Sequence, residues 1–162
     1  MLKKIAKREE RSGGTYGIVA AKYNPRFTNA LVKSARSELR AGGAARIEVV
    51  RVPGSFEVPA VARALAASAQ PKFDAILCFG AILRGATTHA QQIADAVSQA
   101  LARLQVSYGV PIIHAVLLFE NEDQAEERCF GREHNRGIEA ARTALEMNQV
   151  MRRVARLAAS PP

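Results

Sequence analysis

Apolar residues gather in four short runs, at positions 17–21, 47–52, 75–82 and 112–119. Each is nearly continuous rather than alternating, which is the pattern of strands buried on both faces of a parallel sheet. Between the runs the spacing changes to that of helices. Phe27, Leu31, Ala35 and Leu39 recur every four residues, and the pattern stops at Gly42 and Gly43. An alanine-rich stretch over 58–69 carries Pro59 where a first turn tolerates it. Ile93, Val97, Ala100, Leu101 and Leu104 form one amphipathic stripe. A short helix is predicted over 122–130 and a long last one over 135–157, with Ile138, Ala141, Leu145 and Val154 along it. This βαβαβαβαα order predicts a three-layer α/β/α sandwich around a four-stranded parallel sheet in flavodoxin-like order. Ligands of such sheets bind beyond the carboxyl ends of the strands, so the segments after each run are where function is expected.

After the first run come Tyr23 and Asn24, an aromatic and an amide able to stack on and hydrogen-bond to a flat ring; the plainer alternative is a turn with Tyr23 half-buried. After the second come Pro53-Gly54-Ser55-Phe56-Glu57-Val58-Pro59. Pro53-Gly54 signals a turn, and the helix start behind it offers N–H groups without intrahelical partners. These can hold the hydroxyls of a polyol, and Ser55 is a natural cap. After the third come Gly80-Ala81-Ile82-Leu83-Arg84-Gly85-Ala86-Thr87-Thr88-His89. Gly85 allows close backbone approach. A helix start with small residues is an anion site, and His89 beside it is placed to move protons. After the fourth, Arg128, Arg132 and Arg136 are spaced by four, as one basic face for phosphate or as an ordinary solvated surface.

Composition narrows the classes. The 162 residues suggest one domain, with 15–157 as its body, a basic extension at 1–14 and a tail at 158–162. No apolar run is long enough for a membrane span, and the N-terminus does not read as a signal peptide, so the expected location is cytoplasmic. Cys78 and Cys129 lack metal-ligand spacing, as do His89, His114 and His134. The net charge of +8 invites a nucleic-acid reading. Its placement argues against one. Residues 1–12 hold five basic against two acidic side chains, and 148–162 hold Arg152, Arg153 and Arg156 with no acid. The excess thus lies at the ends, which are often mobile. Dinucleotide, Walker and nucleophile-elbow motifs are absent.

These residues alone describe a phosphate-binding α/β enzyme with an acid–base histidine. From Tyr16 to about Met147, however, the chain resembles the lumazine synthase family. The resemblance is most specific at 53–59, at 80–89, and at Asn135-Arg136-Gly137 with the Glu-Ala-Ala that follows. It implies condensation of 5-amino-6-(D-ribitylamino)uracil with 3,4-dihydroxy-2-butanone 4-phosphate, without metal or organic cofactor. It implies that Tyr23 stacks on the pyrimidine, with Asn24 in the same motif. Ser55, Phe56 and Glu57 would hold the ribityl chain, and Ala81, Ile82 and Leu83 line the ring pocket. Gly85, Ala86 and Thr87 would bind phosphate and His89 transfer protons, while Arg128 would reach the phosphate from a neighbouring subunit. It further implies a homopentamer, a possible association with riboflavin synthase, and, since 128–137 shows no insertion relative to shell-forming members, a sixty-subunit shell. Four departures are visible. Tyr23 replaces the usual phenylalanine or tryptophan, and His114 a pocket phenylalanine of the adjacent subunit. Leu118-Phe119 replaces a more polar pair, and Arg132 and Arg136 replace lysines. The departures at His114 and Leu118-Phe119 motivate an alternative, a catalytically weak paralogue acting as a shell-forming or flavin/lumazine-binding protein.

Overall fold

A computed structural model of the protein describes residues 13–159. The strands are β1 (Thr15–Ala21), β2 (Arg46–Val52), β3 (Ala75–Leu83) and β4 (Ile112–Phe119). The helices are α1 (Pro25–Ala41), α2 (Val58–Ala66), α3 (His89–Tyr108), α4 (Glu122–Phe130) and α5 (Arg136–Ala159), with a 3-10 turn at Ser55–Glu57. All strand pairs are parallel, in the order β2-β1-β3-β4. From β1 the chain moves one way to β2, then crosses back over β1 to β3 and on to β4. Right-handed crossovers in opposite directions put their helices on opposite faces. Phe27, Leu31, Ala35 and Leu39 of α1 accordingly bury with Ala125 and Cys129 of α4 and Ala141 and Leu145 of α5 on one face. Val58 and Ala62 of α2 bury with Val97 and Leu101 of α3 on the other. The direction changes between β1 and β3, which opens a crevice at their carboxyl ends.

The predicted elements form with small changes at their ends. α2 stops at Ala66 rather than 69. Pro71 disfavours helical backbone at Gln70, and the last turn tightens as the Ser68 N–H donates to the Leu65 carbonyl at 3.1 Å. Burial on both faces holds for β1 and β3 but not for β2. β2 pairs only with β1, so it is an edge, and most of its residues are half-buried. Among the described residues no helix is long and apolar enough to cross a membrane.

Most of the expected N-terminal extension lies outside the described residues. Gly13 and Gly14 mark its end, both at positive φ, and the Gly14 carbonyl accepts the Ala45 N–H at 2.9 Å. At the other end α5 continues through Ala159, two residues past the expected helix end and into the expected tail, and Arg152, Arg153 and Arg156 lie on its last turns. Residues 160–162 lie outside the description.

Candidate active site

Three segments converge on the carboxyl ends of β1 and β3. Past β1, the Lys22 N–H donates to the Val52 carbonyl at 2.7 Å and the Tyr23 N–H to the Pro53 carbonyl at 3.2 Å. The turns after β1 and β2 are thereby joined edge to edge. Asn24 then takes a left-handed conformation (φ 51°, ψ 56°), which asparagine tolerates better than most residues. Its side-chain N–H donates to the Ala81 carbonyl at 2.7 Å. The amide expected to face a ligand therefore has its donor side engaged on β3. Tyr23 is turned outward and is 72% exposed, not half-buried.

Past β2, Gly54 is extended and leads into the 3-10 turn, whose Glu57 N–H donates to the Gly54 carbonyl at 3.3 Å. The expected capping role of Ser55 is not observed, since Gly54 precedes the turn, Glu57 precedes α2, and neither position carries a side-chain cap. Ser55 is instead buried against Gly80 of β3, where an added Cβ would collide with the Ser55 hydroxyl. That close approach presses the turn onto the sheet and leaves Phe56 61% exposed beside it.

Past β3, residues 84–89 are exposed and α3 begins at His89. Thr88 precedes the helix without a side-chain cap, and the His89 N–H reaches only the Thr87 hydroxyl, at 3.5 Å. A helix start left this open presents its N–H groups and positive dipole end to any nearby anion. A Cβ added at Gly85 would meet nothing within 4 Å, so the backbone there is open to approach from outside the chain.

Together these segments enclose a cleft of about 860 Å³, within the usual size range for small-molecule sites. Tyr23, Asn24, Ser55, Phe56 and Glu57 line it from one side. Ala81, Ile82 and Leu83 form the strand wall, and Gly85, Thr87 and His89 complete the third side. Ala86 lies in the same turn without lining the cleft. Sequence reasoning missed Gln92, Ile93 and Ala96, one further stretch of wall from α3. Their spacing of three, four and seven residues from His89 carries the signal, and Ile93 also belongs to the stripe with Val97 that packs against the core. No lysine or arginine lines the cleft among the described residues, and Glu57 is its one carboxylate.

His114 and Arg128 are elsewhere. His114 pairs in register with Cys78, five residues before the end of β3 at Leu83, or about 16 Å down the strand. Its Nδ1 accepts the Val116 N–H at 3.2 Å, so Nε2 carries the proton and donates to the Ser98 hydroxyl at 2.7 Å. Ser98 in turn donates to the Ala94 carbonyl at 2.7 Å. Partial desolvation of the ring where it packs on α3 pushes the His114 pKa down, and the backbone donor at Nδ1 favours the same neutral form. Arg128 lies on α4, which packs on the opposite face of the sheet from α2 and α3, and its Nη1 is buried without a hydrogen-bond partner.

The basic face expected from Arg128, Arg132 and Arg136 does not form. α4 ends at Phe130, and Gly131 follows in an extended conformation, with the Glu127 carbonyl in the space a Cβ would take. Arg132 falls in the loop beyond, and Arg136 opens α5 paired with Glu139 at 2.7 Å. Leu118 and Phe119 pack into the clusters on the two faces of the sheet and do not line the cleft.

The sequence model of the 6,7-dimethyl-8-ribityllumazine synthase family matches residues 13–152. A protein of that name from Stenotrophomonas maltophilia is 42% identical over 134 residues, 82% of this chain and 85% of the relative. Another, from Thermococcus gammatolerans, is 39% identical over 138 residues, 85% and 88% of the two chains. A third, from Thermococcus kodakarensis, is 39% identical over 142 residues, 88% and 89%.

Proposed function

From the membership of this chain in the 6,7-dimethyl-8-ribityllumazine synthase family, we propose that it condenses 5-amino-6-(D-ribitylamino)uracil with 3,4-dihydroxy-2-butanone 4-phosphate, a transferase step of riboflavin biosynthesis. The carrying observation is that the family match spans every residue lining the cleft. The amine attacks the ketone and water leaves to give an imine. Phosphate is then eliminated, and the ribitylamino nitrogen closes the second ring with loss of another water.

These steps need two substrates in contact and several proton transfers. Contact alone is worth on the order of 7–11 kcal/mol in favourable cases. Tyr23 provides an exposed face for the pyrimidine, and Ile82 and Leu83 a dry wall behind it. Ser55, Phe56 and Glu57 hold the ribityl chain. The open start of α3, with Gly85, Ala86 and Thr87, takes the phosphate and stabilises its charge as it leaves. His89, at the first helical position, relays protons between them.

A dianion in a cleft whose lining carries a carboxylate and no cation needs a positive group from elsewhere. Arg128 supplies it from an adjacent copy in a homopentamer, in which His114 also reaches the neighbour's ring site. Assembly of pentamers into a sixty-subunit shell and association with riboflavin synthase, in the cytoplasm, extend this reading. Phe119, in the core, and Leu118, half-buried against it, give no ground for a non-catalytic paralogue.

The test is the rise of lumazine absorbance when purified protein meets both substrates, compared with the uncatalysed condensation. A protein-dependent rate is expected. No acceleration from an intact pentamer would overturn the proposal.

A further inference from the structure

We propose that Arg84 is a positioning residue, a staple that closes the 84–91 segment so that the anion-binding turn is held ready for the phosphate of the ketone substrate. The inference rests on the functional reading above and assigns a residue it leaves unused. Arg84 is the first residue beyond β3. Its N–H donates to the Phe119 carbonyl at 2.9 Å, tying the ends of β3 and β4 together. Its side chain then spans the turn. Nε donates to Glu120 at 2.7 Å, and Nη2 donates to the side-chain oxygen Oε1 of Gln91 at 3.1 Å.

Both ends of the network are anchored. Gln91 donates to Asp95 one helical turn along α3, at 2.8 Å. The Glu120 N–H donates to Gln124 of α4 at 2.9 Å, and the Gln124 N–H to the Asn121 side chain at 2.9 Å. Inside the closed segment the His89 N–H reaches the Thr87 hydroxyl only at 3.5 Å, and Gln92, just past it, reaches Thr88 at 3.4 Å. The turn is therefore placed from its two ends rather than from within. A planar guanidinium can hold a carboxylate and an amide on different edges at once, which an ammonium cannot do in the same geometry.

The side chains of Arg84 and Glu120 are 37% and 57% exposed, so the pair adds little to global stability. Its effect is expected on turn placement, where small displacements are costly. Arg84→Met and Gln91→Ala should each raise KM for the butanone phosphate by about tenfold, with KM for the pyrimidine within about twofold and Tm within about 4 °C. Inorganic phosphate, as a competitive inhibitor, should weaken by the same factor. Arg84→Lys should recover only part of the loss. Wild-type protein without turnover would indict the functional reading itself. With wild-type turnover intact, three outcomes overturn the staple: unchanged kinetics, a rise of both KM values together, or a loss in Arg84→Met that Gln91→Ala does not share.

Discussion

The side-chain amide of Asn24 and the backbone carbonyl of Ala81 meet at 2.7 Å, joining the turn after β1 to the third strand at the wall of the cleft. Asn24 is also the one described residue other than glycine with positive φ. One side chain thus both tolerates the backbone that turns Tyr23 outward and fastens that turn to the sheet.

Asn24→Ala should lose both contributions, about 1–2 kcal/mol for the left-handed backbone and about 1 kcal/mol for the hydrogen bond. Asn24→Gly should keep the backbone and lose only the bond. Urea denaturation should therefore rank wild type above glycine and glycine above alanine, with KM for the pyrimidine rising in the same order. Equal stability of the two variants would show that the left-handed turn carries no strain for alanine.

His89→Ala should slow turnover by roughly a hundredfold or more without abolishing it, since a positioned acid–base group adds about 10²–10⁴ and orientation supplies the rest. Arg128→Ala should lose more, because the phosphate then lacks its charged anchor. Steady-state rates with the histidine variant as the slower of the two would contradict this assignment.

Gly137→Ala should destabilise the crossing of α1 and α5. An added Cβ would meet the Leu31 carbonyl oxygen and lie 3.0 Å from the Ser34 Cβ. Alanine gains about 1 kcal/mol of helix propensity, but overpacking against a helix backbone that cannot rotate away costs about 1–3 kcal/mol. The middle of that range leaves a net loss of about 1 kcal/mol and a fall in Tm of about 2–4 °C, read by thermal unfolding. An unchanged or higher Tm would mean that the two helices separate freely.

Acid should weaken the fold partly through His114. Partial desolvation holds its pKa below the ordinary value of 6.5, so the unfolded chain takes up this proton first as the pH falls. The stability contributed by the neutral ring is present above about pH 6.5 and is lost as the pH drops toward the folded-state value. His114→Phe should therefore lose less of its urea midpoint than wild type between about pH 7.5 and about pH 5.5. Parallel losses in the two proteins would remove His114 from the acid response.

Much of this molecule is legible in local sequence. Continuous apolar runs, a four-residue repeat ending at Gly42, and the turn at Pro53-Gly54 each report on backbone a few residues long, and the strands and helices form close to where those patterns lie. The rule that ligands bind beyond strand ends then singled out 23–24, 53–59 and 80–89, and these segments do meet at one cleft. What a side chain does at its address was decided by tertiary contacts. The Asn24 amide is engaged because β3 passes 2.7 Å away, and Ser55 is buried because Gly80 leaves room for it. Ile93 packs against the core and also lines the cleft. Arg128, Arg132 and Arg136 separate because Gly131 breaks the helix that their spacing assumed. Periodicity and turn chemistry act over one or two turns of chain, so sequence carries them directly. Which atom faces which depends on strand register and helix crossing, and these are settled only when segments distant in sequence pack together.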